Sequence, residues 1–275
     1  MIVEVDPKLE TRDDLFFDAD YAAAAREQYD RDQSGPLASI PSSYTFVPLA
    51  NIMPQNTLER LHSQAQALTG LSPAKKALME QRLRHPDQLG HVEYIFRLGA
   101  APMEVSGKKF GTIFQILQYP FCVGSIHVQP TLAEGDDPVI DPKPYLGLPG
   151  EIDLEIMMEA TRFAREILFA PAFGSVVKQL FHPPASSYAN DEYLKKFIRD
   201  STAVAFHPVG TCAMGGHEGI RGGVVDERLK VYGVRGLRVV DASIIPLQIS
   251  GHIQATVYAI AEKASSMILE DEANQ

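Results

Sequence analysis

The stretch "AFHPVGTCAMGG", residues 205–216, packs a histidine, a proline and several small residues into a run with neither helical nor strand period. Its histidine, His207, has a counterpart in His252, which opens the apolar-periodic stretch "HIQATVYAIAEKASSMILED". Both stand at transitions between elements rather than inside an apolar stripe. Taken singly, each fits the structural role that most histidines have. Taken together, with Gly-rich sequence between them, they can converge on one pocket. Two imidazoles there supply a base that titrates near neutral pH and a second ring able to hold an oxygen. A metal pair is the competing chemistry, but no third His, Asp or Glu stands at ligand spacing around either residue, so no metal is expected.

Other chemistries find less in the chain. The serine-elbow pattern Gly-x-Ser-x-Gly is absent, and neither cysteine stands in a nucleophile context, which disfavours covalent hydrolysis. Neither a Walker loop nor a Gly-x-Gly-x-x-Gly turn after a strand occurs, which leaves phosphate chemistry without its cradle. Cys122 and Cys212 are far apart and outside any CxxC pair, so a disulfide framework or structural zinc is not expected. His62 lies one position off a helical stripe and reads as solvated, as does His217 beside Glu218. His91 and His127 fall in or beside strands, where a structural role suffices.

The elements that must position the two histidines follow from composition and period. With 275 residues, 45% of them hydrophobic, the chain can bury a full core as one large domain or two smaller ones. A net charge of -10 and a pI near 5.3 argue against nucleic acid or an anionic membrane as partner. The start "MIVEVDPKLE" has no basic flank and apolar core, and no apolar run reaches bilayer length, so a cytoplasmic location is the default expectation. The Ala-rich residues 13–32 predict a helix, with Asp18 or Asp20 to cap it, followed by punctuation at Gly35 and Pro36. Residues 55–68 predict a second helix on Leu58, Leu61, Ala65 and Leu68. Three β-rich runs, 92–99, 110–121 and 123–130, read as neighbouring antiparallel strands, and 133–147 as a long loop over their sheet. Glu151 to Phe169 predicts an amphipathic helix ended by Pro171, with Ile152, Ile156, Ala160, Phe163 and Ile167 on one side. "GLRVVDAS" reads as a buried strand ending on Asp241, and the tail from His252 as a helix. Unpaired amides of His252, Ile253 and Gln254 in that helix's first turn would favour an anion or an electron-rich ring edge.

The order "FHPVGTCAMGG", "GGVVDERLKVYGVRGLRVVDASIIP", "SGHIQATVYAIAEKAS" resembles the C-terminal signature of the glucose-methanol-choline (GMC) flavoprotein oxidoreductases, alcohol oxidases and dehydrogenases of the aryl-alcohol and glucose type. The likeness runs nearly unbroken from Phe206 to Ile268. Upstream, "SGPLAS", "GSIHVQP", "PVIDPKPYL" and "DLEIMMEATRFAREI" are similar to the family's substrate-binding domain. The resemblance implies an α+β fold: an antiparallel sheet with flanking helices over residues 1–205, then a C-terminal strand-helix segment over 206–275 that contributes to a flavin site. It implies His207 as catalytic base and His252 as its partner, a position held by His or Asn in the family. The implied cofactor is FAD, with Asp241 and Ala242 at the turn beside its pyrophosphate and ribityl region and Ile253 and Gln254 beside its ring. The implied substrate is a small-molecule alcohol, whose hydride passes to flavin N5.

Family members open on a Rossmann-type strand, Gly-rich turn and helix that grip the ADP half of FAD, and this chain has none. It resembles them from near the start of the substrate domain. Three origins stay open: a fragment of a longer gene product, one subunit of a split enzyme, or a cut-down relative that works without FAD as a ligand-binding or non-redox protein. An open apolar edge is expected along the tail, and with it a homodimer or an N-terminal FAD-binding partner.

Overall fold

A computed structural model describes residues 1–40, 43–100, 105, 107–129, 131 and 135–274. Residues 130, 133 and 134, at the ends of a strand and a loop predicted from sequence, lie outside the described residues. In chain order the described elements are β1 (Ile2–Val5), α1 (Asp14–Phe17), α2 (Ala19–Asp32), β2 (Ser43–Val47), α3 (Gln55–Gln66), α4 (Pro73–Arg84), β3 (Val92–Leu98), β4 (Lys109–Leu117), β5 (Ser125–His127), β6 (Val139–Asp141), α5 (Gly147–Leu168), β7 (Val177–His182), α6 (Asp191–Ser201) and α7 (Gln254–Ala273), with short 3-10 turns between some of them. The fold is α+β, and the chain divides into two units.

The first unit comprises Met1–Met53, Val92–Leu117 and Leu154–Ser201. Its five strands run in the order β2-β3-β4-β1-β7, and every neighbouring pair is antiparallel. The β-branched and aromatic residues of "VEYIFRL" and "KFGTIFQIL" make the central pair, in register from Val92↔Leu117 to Leu98↔Gly111. Alternation then sends Tyr94 toward α5, where its hydroxyl donates to the Ala160 carbonyl at 3.0 Å. In α5, Ile156, Ala160, Ala164 and Leu168 are wholly buried. Each large aliphatic side chain so buried contributes about 1.5–3 kcal/mol. Of the two caps expected, Asp18 caps α2, which runs to Asp32 as predicted, its carboxylate accepting the Tyr21 N–H at 2.9 Å, and residues 14–17 before it form the separate short α1.

The second unit comprises Pro54–His91, Gln118–Asp153 and Thr202–Gln275. Leu58, Leu61 and Ala65 of α3 are buried, as the spacing predicts. Here the structure also corrects the sequence reading. The third β-rich run gives only β5, which pairs with β6 in a separate two-stranded sheet rather than beside β4. β6 lies inside the stretch read as loop: Pro138 and Pro142 flank it, and a three-residue edge pairing leaves both outside the ladder. "GLRVVDAS" is not a buried strand. Only single bridges form here, Lys230↔Arg238 among them, and Leu237 and Val240 are exposed, because Gly233 and Gly236 turn the chain back before a ladder can grow. What seats this tail is a small core of Val225, Leu229, Ile244 and Ala264, against which Met214, Val239 and Ile260 pack. Among the described residues, no helix is long and apolar enough to cross a membrane.

Candidate active site

His207 and His252 come together. Their ring centroids are 5.2 Å apart with the planes tilted by 58°. Each sits one residue after a left-handed backbone position: Phe206 has φ 59° before His207, and Gly251 has φ 79° before His252. Glycine holds that conformation at no steric cost, whereas for phenylalanine it costs about 1–2 kcal/mol. Strain of this kind clusters where a side chain must be aimed. Neither histidine lies on a regular element; both are aimed by turns.

The turns themselves are tied by backbone hydrogen bonds. Cys212 N–H donates to the Ser243 carbonyl at 3.0 Å and Met214 N–H to the Ile244 carbonyl at 2.9 Å, so the His207 segment runs beside the turn that starts at Asp241. Asp241 caps that turn, its carboxylate accepting the Ser243 N–H at 2.8 Å and the Ser243 hydroxyl at 2.5 Å. Ile253 is the N-cap of α7 and offers no side-chain acceptor, and the first in-register helical bond runs from Val257 N–H to the Ile253 carbonyl. The helix therefore starts at Gln254, two residues later than the sequence suggested, and His252 stands just outside it.

An open hollow of about 460 Å³ lies against this arrangement, lined by Phe206, His207, Pro208, Ala242, Ile253, Gln254, Val257 and Tyr258. Three of the residues expected beside a cofactor, Ala242, Ile253 and Gln254, thus share the hollow with His207. Asp241 does not line it. Its carboxylate is spent on its own turn, which presents Ala242. Sequence reasoning missed Val257 and Tyr258, although they stand three to five residues after Ile253 and Gln254 and so one helical turn along the same side. The hollow is mostly apolar and ends on an uncapped helix start, which suits one face and the electron-rich edge of a flat heteroaromatic ring. The residues present therefore fit a flavin ring. Among the described residues, no group of three or more His, Cys, Asp or Glu can hold a metal ion.

The other predicted histidines lie apart from this pair. His62 is half-buried and accepts from Arg84 Nε at 3.4 Å; His127 and His217 are exposed; His91 is buried with Nδ1 2.9 Å from the Leu89 carbonyl. Away from the hollow, burial raises the Asp153 carboxyl to about 6 although it accepts the Phe121 and Cys122 N–H groups, each at 2.8 Å. Burial, then the Asp153 charge, pushes the Cys122 thiol up to about 12, which leaves it protonated and without nucleophilic character.

Comparison with known proteins agrees with this picture. The family model described as GMC oxidoreductase matches residues 120–261. A dehydrogenase of Monascus purpureus is 41% identical over 154 residues, 56% of this chain and 23% of that protein. Pyranose dehydrogenase 2 of Leucoagaricus meleagris is 35% identical over 189 residues, 66% of this chain and 31% of that protein. Among solved structures, a formate oxidase of Aspergillus oryzae RIB40, studied for its FAD modification, superposes with a TM-score of 0.78 at 25% identity, over 99% of this chain and 46% of that one. The chain thus spans about half the length of that oxidase, and its aligned part a third or less of the two dehydrogenases.

Proposed function

The chain belongs to the GMC oxidoreductase family, and from that premise we propose that it supplies the substrate-binding and catalytic portion of an FAD-dependent enzyme that oxidises a small alcohol at its CH–OH group. One observation carries the reading: two imidazoles with centroids 5.2 Å apart, one of them in the wall of an apolar hollow that ends on an uncapped helix start. The dehydrogenase and oxidase names of the relatives agree with it.

The unprotonated ring nitrogen of His207 accepts the hydroxyl proton as the carbinol carbon gives up its hydride. An N–H of the His252 ring donates to the same oxygen and holds it while charge builds there. Ala242, Ile253 and Gln254 would lie along the cofactor ring, with the first-turn amides of α7 toward its electron-rich edge. Bound FAD supplies a two-electron acceptor for the hydride at N5. Once the FAD-binding portion covers the open hollow, Phe206, Pro208, Val257 and Tyr258 would form the apolar wall that keeps water from the reacting centre and so strengthens each hydrogen bond made in it. The segment from residue 206 onward is the catalytic part, and residues before it hold the substrate.

The FAD-binding portion of such an enzyme, joined in cis or as a separate chain, is the partner this reading requires. The alternative docking, two copies of this chain, would cover the same apolar side chains. Co-expression with the FAD-binding portion of a GMC relative tests the reading. A yellow complex that oxidises alcohols supports it. A colourless chain that still binds a small ligand tightly refutes it in favour of a flavin-free binding protein.

A further inference from the structure

The side chains that hold His252 lie far from it in sequence, and outside the tail that carries both histidines. We propose that Gln118, with Arg82 beside it, is the positioning residue for His252, an inference that rests on the role given to His252 above. His252 sits on an irregular segment between the turn at Ala242–Ile244 and α7, and no ladder fixes it. Loops of this kind open at low free energy unless side chains tie them down. A ring acting on a reacting oxygen has to be held within about 0.5 Å.

Two contacts from the same unit supply the hold. Gln118 is buried, and its side-chain Oε1 accepts the N–H of Gly251, the residue immediately before His252, at 2.6 Å. The backbone N–H of Gln118 itself donates to the His91 carbonyl at 2.8 Å, which continues the β3-β4 ladder by one step and gives the amide a rigid base. Three residues back along the loop, the Gln248 carbonyl accepts from Arg82 Nη2 at 3.0 Å. Arg82 is fixed in turn: its guanidinium carbon lies 4.4 Å from the centroid of the Tyr119 ring, and Tyr119 meets the edge of buried His91 at 5.4 Å. Burial holds the guanidinium below its ordinary pKa, so a bond to a carbonyl oxygen is valuable to it. The loop is thus gripped at 248 and at 251. The contrast with His207 is instructive, because the His207 segment is anchored through main chain to Ser243 and Ile244, whereas these two holds on the His252 segment come from side chains that mutation can remove singly.

The test is the ring-to-ring nuclear Overhauser contact between His207 and His252 in the isotopically labelled full chain, together with the ring C–H signals of each. Wild type and Gln118→Glu, which keeps the acceptor, are expected to show the contact. Gln118→Ala is expected to lose it and to move the His252 signals toward those of an unstructured histidine, while His62 and His217 stay in place. Arg82→Met is expected to weaken the contact. An unchanged contact and unchanged His252 signals in folded Gln118→Ala would overturn the proposal. Should that variant not fold, amide exchange in the wild-type protein decides: the Gly251 N–H must exchange more slowly than an open loop amide, and exchange at the open rate overturns the proposal. None of these readouts needs flavin or turnover. A failure of the proposed activity therefore leaves this network standing, and a failure of the network leaves the activity reading to its own test.

Discussion

In the proposed reaction one proton and one oxygen are divided between the His207 and His252 rings, and that division predicts how variants differ. In the assembled enzyme, His207→Ala should lower kcat by about 10² to 10⁴, the range for a positioned general base. His252→Asn keeps a donor to the substrate oxygen and should lose less than His252→Ala, measured as kcat at saturating alcohol. Asp153 makes a prediction of a different kind. Its folded-state pKa of about 6 lies above the reference 3.8, so its protonation favours the fold in full below 3.8 and that gain is lost as pH rises through about 6. Asp153→Asn removes this slope, which urea melts from about pH 4 to about pH 7 would reveal, and costs about 1–3 kcal/mol for the acceptor it takes from the Phe121 and Cys122 amides.

Turns and helix ends, rather than strands, do the aiming at the scale of elements. Gly251 has open space where a Cβ would stand, so Gly251→Ala meets no clash and pays only for its left-handed backbone, about 1–2 kcal/mol, seen as a lower urea midpoint. The far end of α7 is held by charge. Arg228 and Lys230 reach Asp271 at 2.8 and 2.5 Å, Arg238 pairs with the same carboxylate, and Arg228 also donates to the Met267 carbonyl at 3.0 Å. These cations come from the loop packed against the helix and lie toward its C-terminal end, where the dipole favours positive charge. Hydrogen bonding from Lys230, then the charges around it, depresses the Asp271 pKa, so its contribution is present above the unfolded value near 3.8 and fades as pH falls through the lower folded value. Asp271→Asn should lower Tm at low salt and by less at high salt, because these groups are solvent-screened. The stripe of α3 and the long amphipathic α5 were legible, since each has one clear apolar face. α4 was missed although Ser72 and Pro73 mark its start: Met79 and Leu83 alone are buried, too narrow a stripe to read. β1, β2 and β7 were missed because strands of four to six residues, β2 and β7 at the sheet edges and β1 between β4 and β7, are too short to carry a clear alternation of their own.

For the whole molecule, the open surface around the hollow is the feature to explain. Phe206 is 86% exposed and Tyr258 71%, both in the wall of the hollow, and in the proposed enzyme the FAD-binding portion would cover them. Light scattering on the isolated chain should give a mass above 30.2 kDa, and added FAD-binding portion should replace that association with a one-to-one complex. A monomer at high concentration that ignores the FAD-binding portion would count against the proposed partner.

The residue types decided the chemistry available here. Two histidines at irregular positions, a Gly-rich tail and the order of its motifs carried the family, the hollow-lining residues Ala242, Ile253 and Gln254, and the antiparallel α+β plan, because motif and period are properties of a linear string. Tertiary structure alone decided that the two rings meet, that Asp241 spends its carboxylate on its own turn, and that Gln118 and Arg82, more than a hundred residues away, grip the loop before His252. Such contacts are set by which turns the chain makes between distant segments, and a linear pattern does not encode the distance between two residues that only folding brings together.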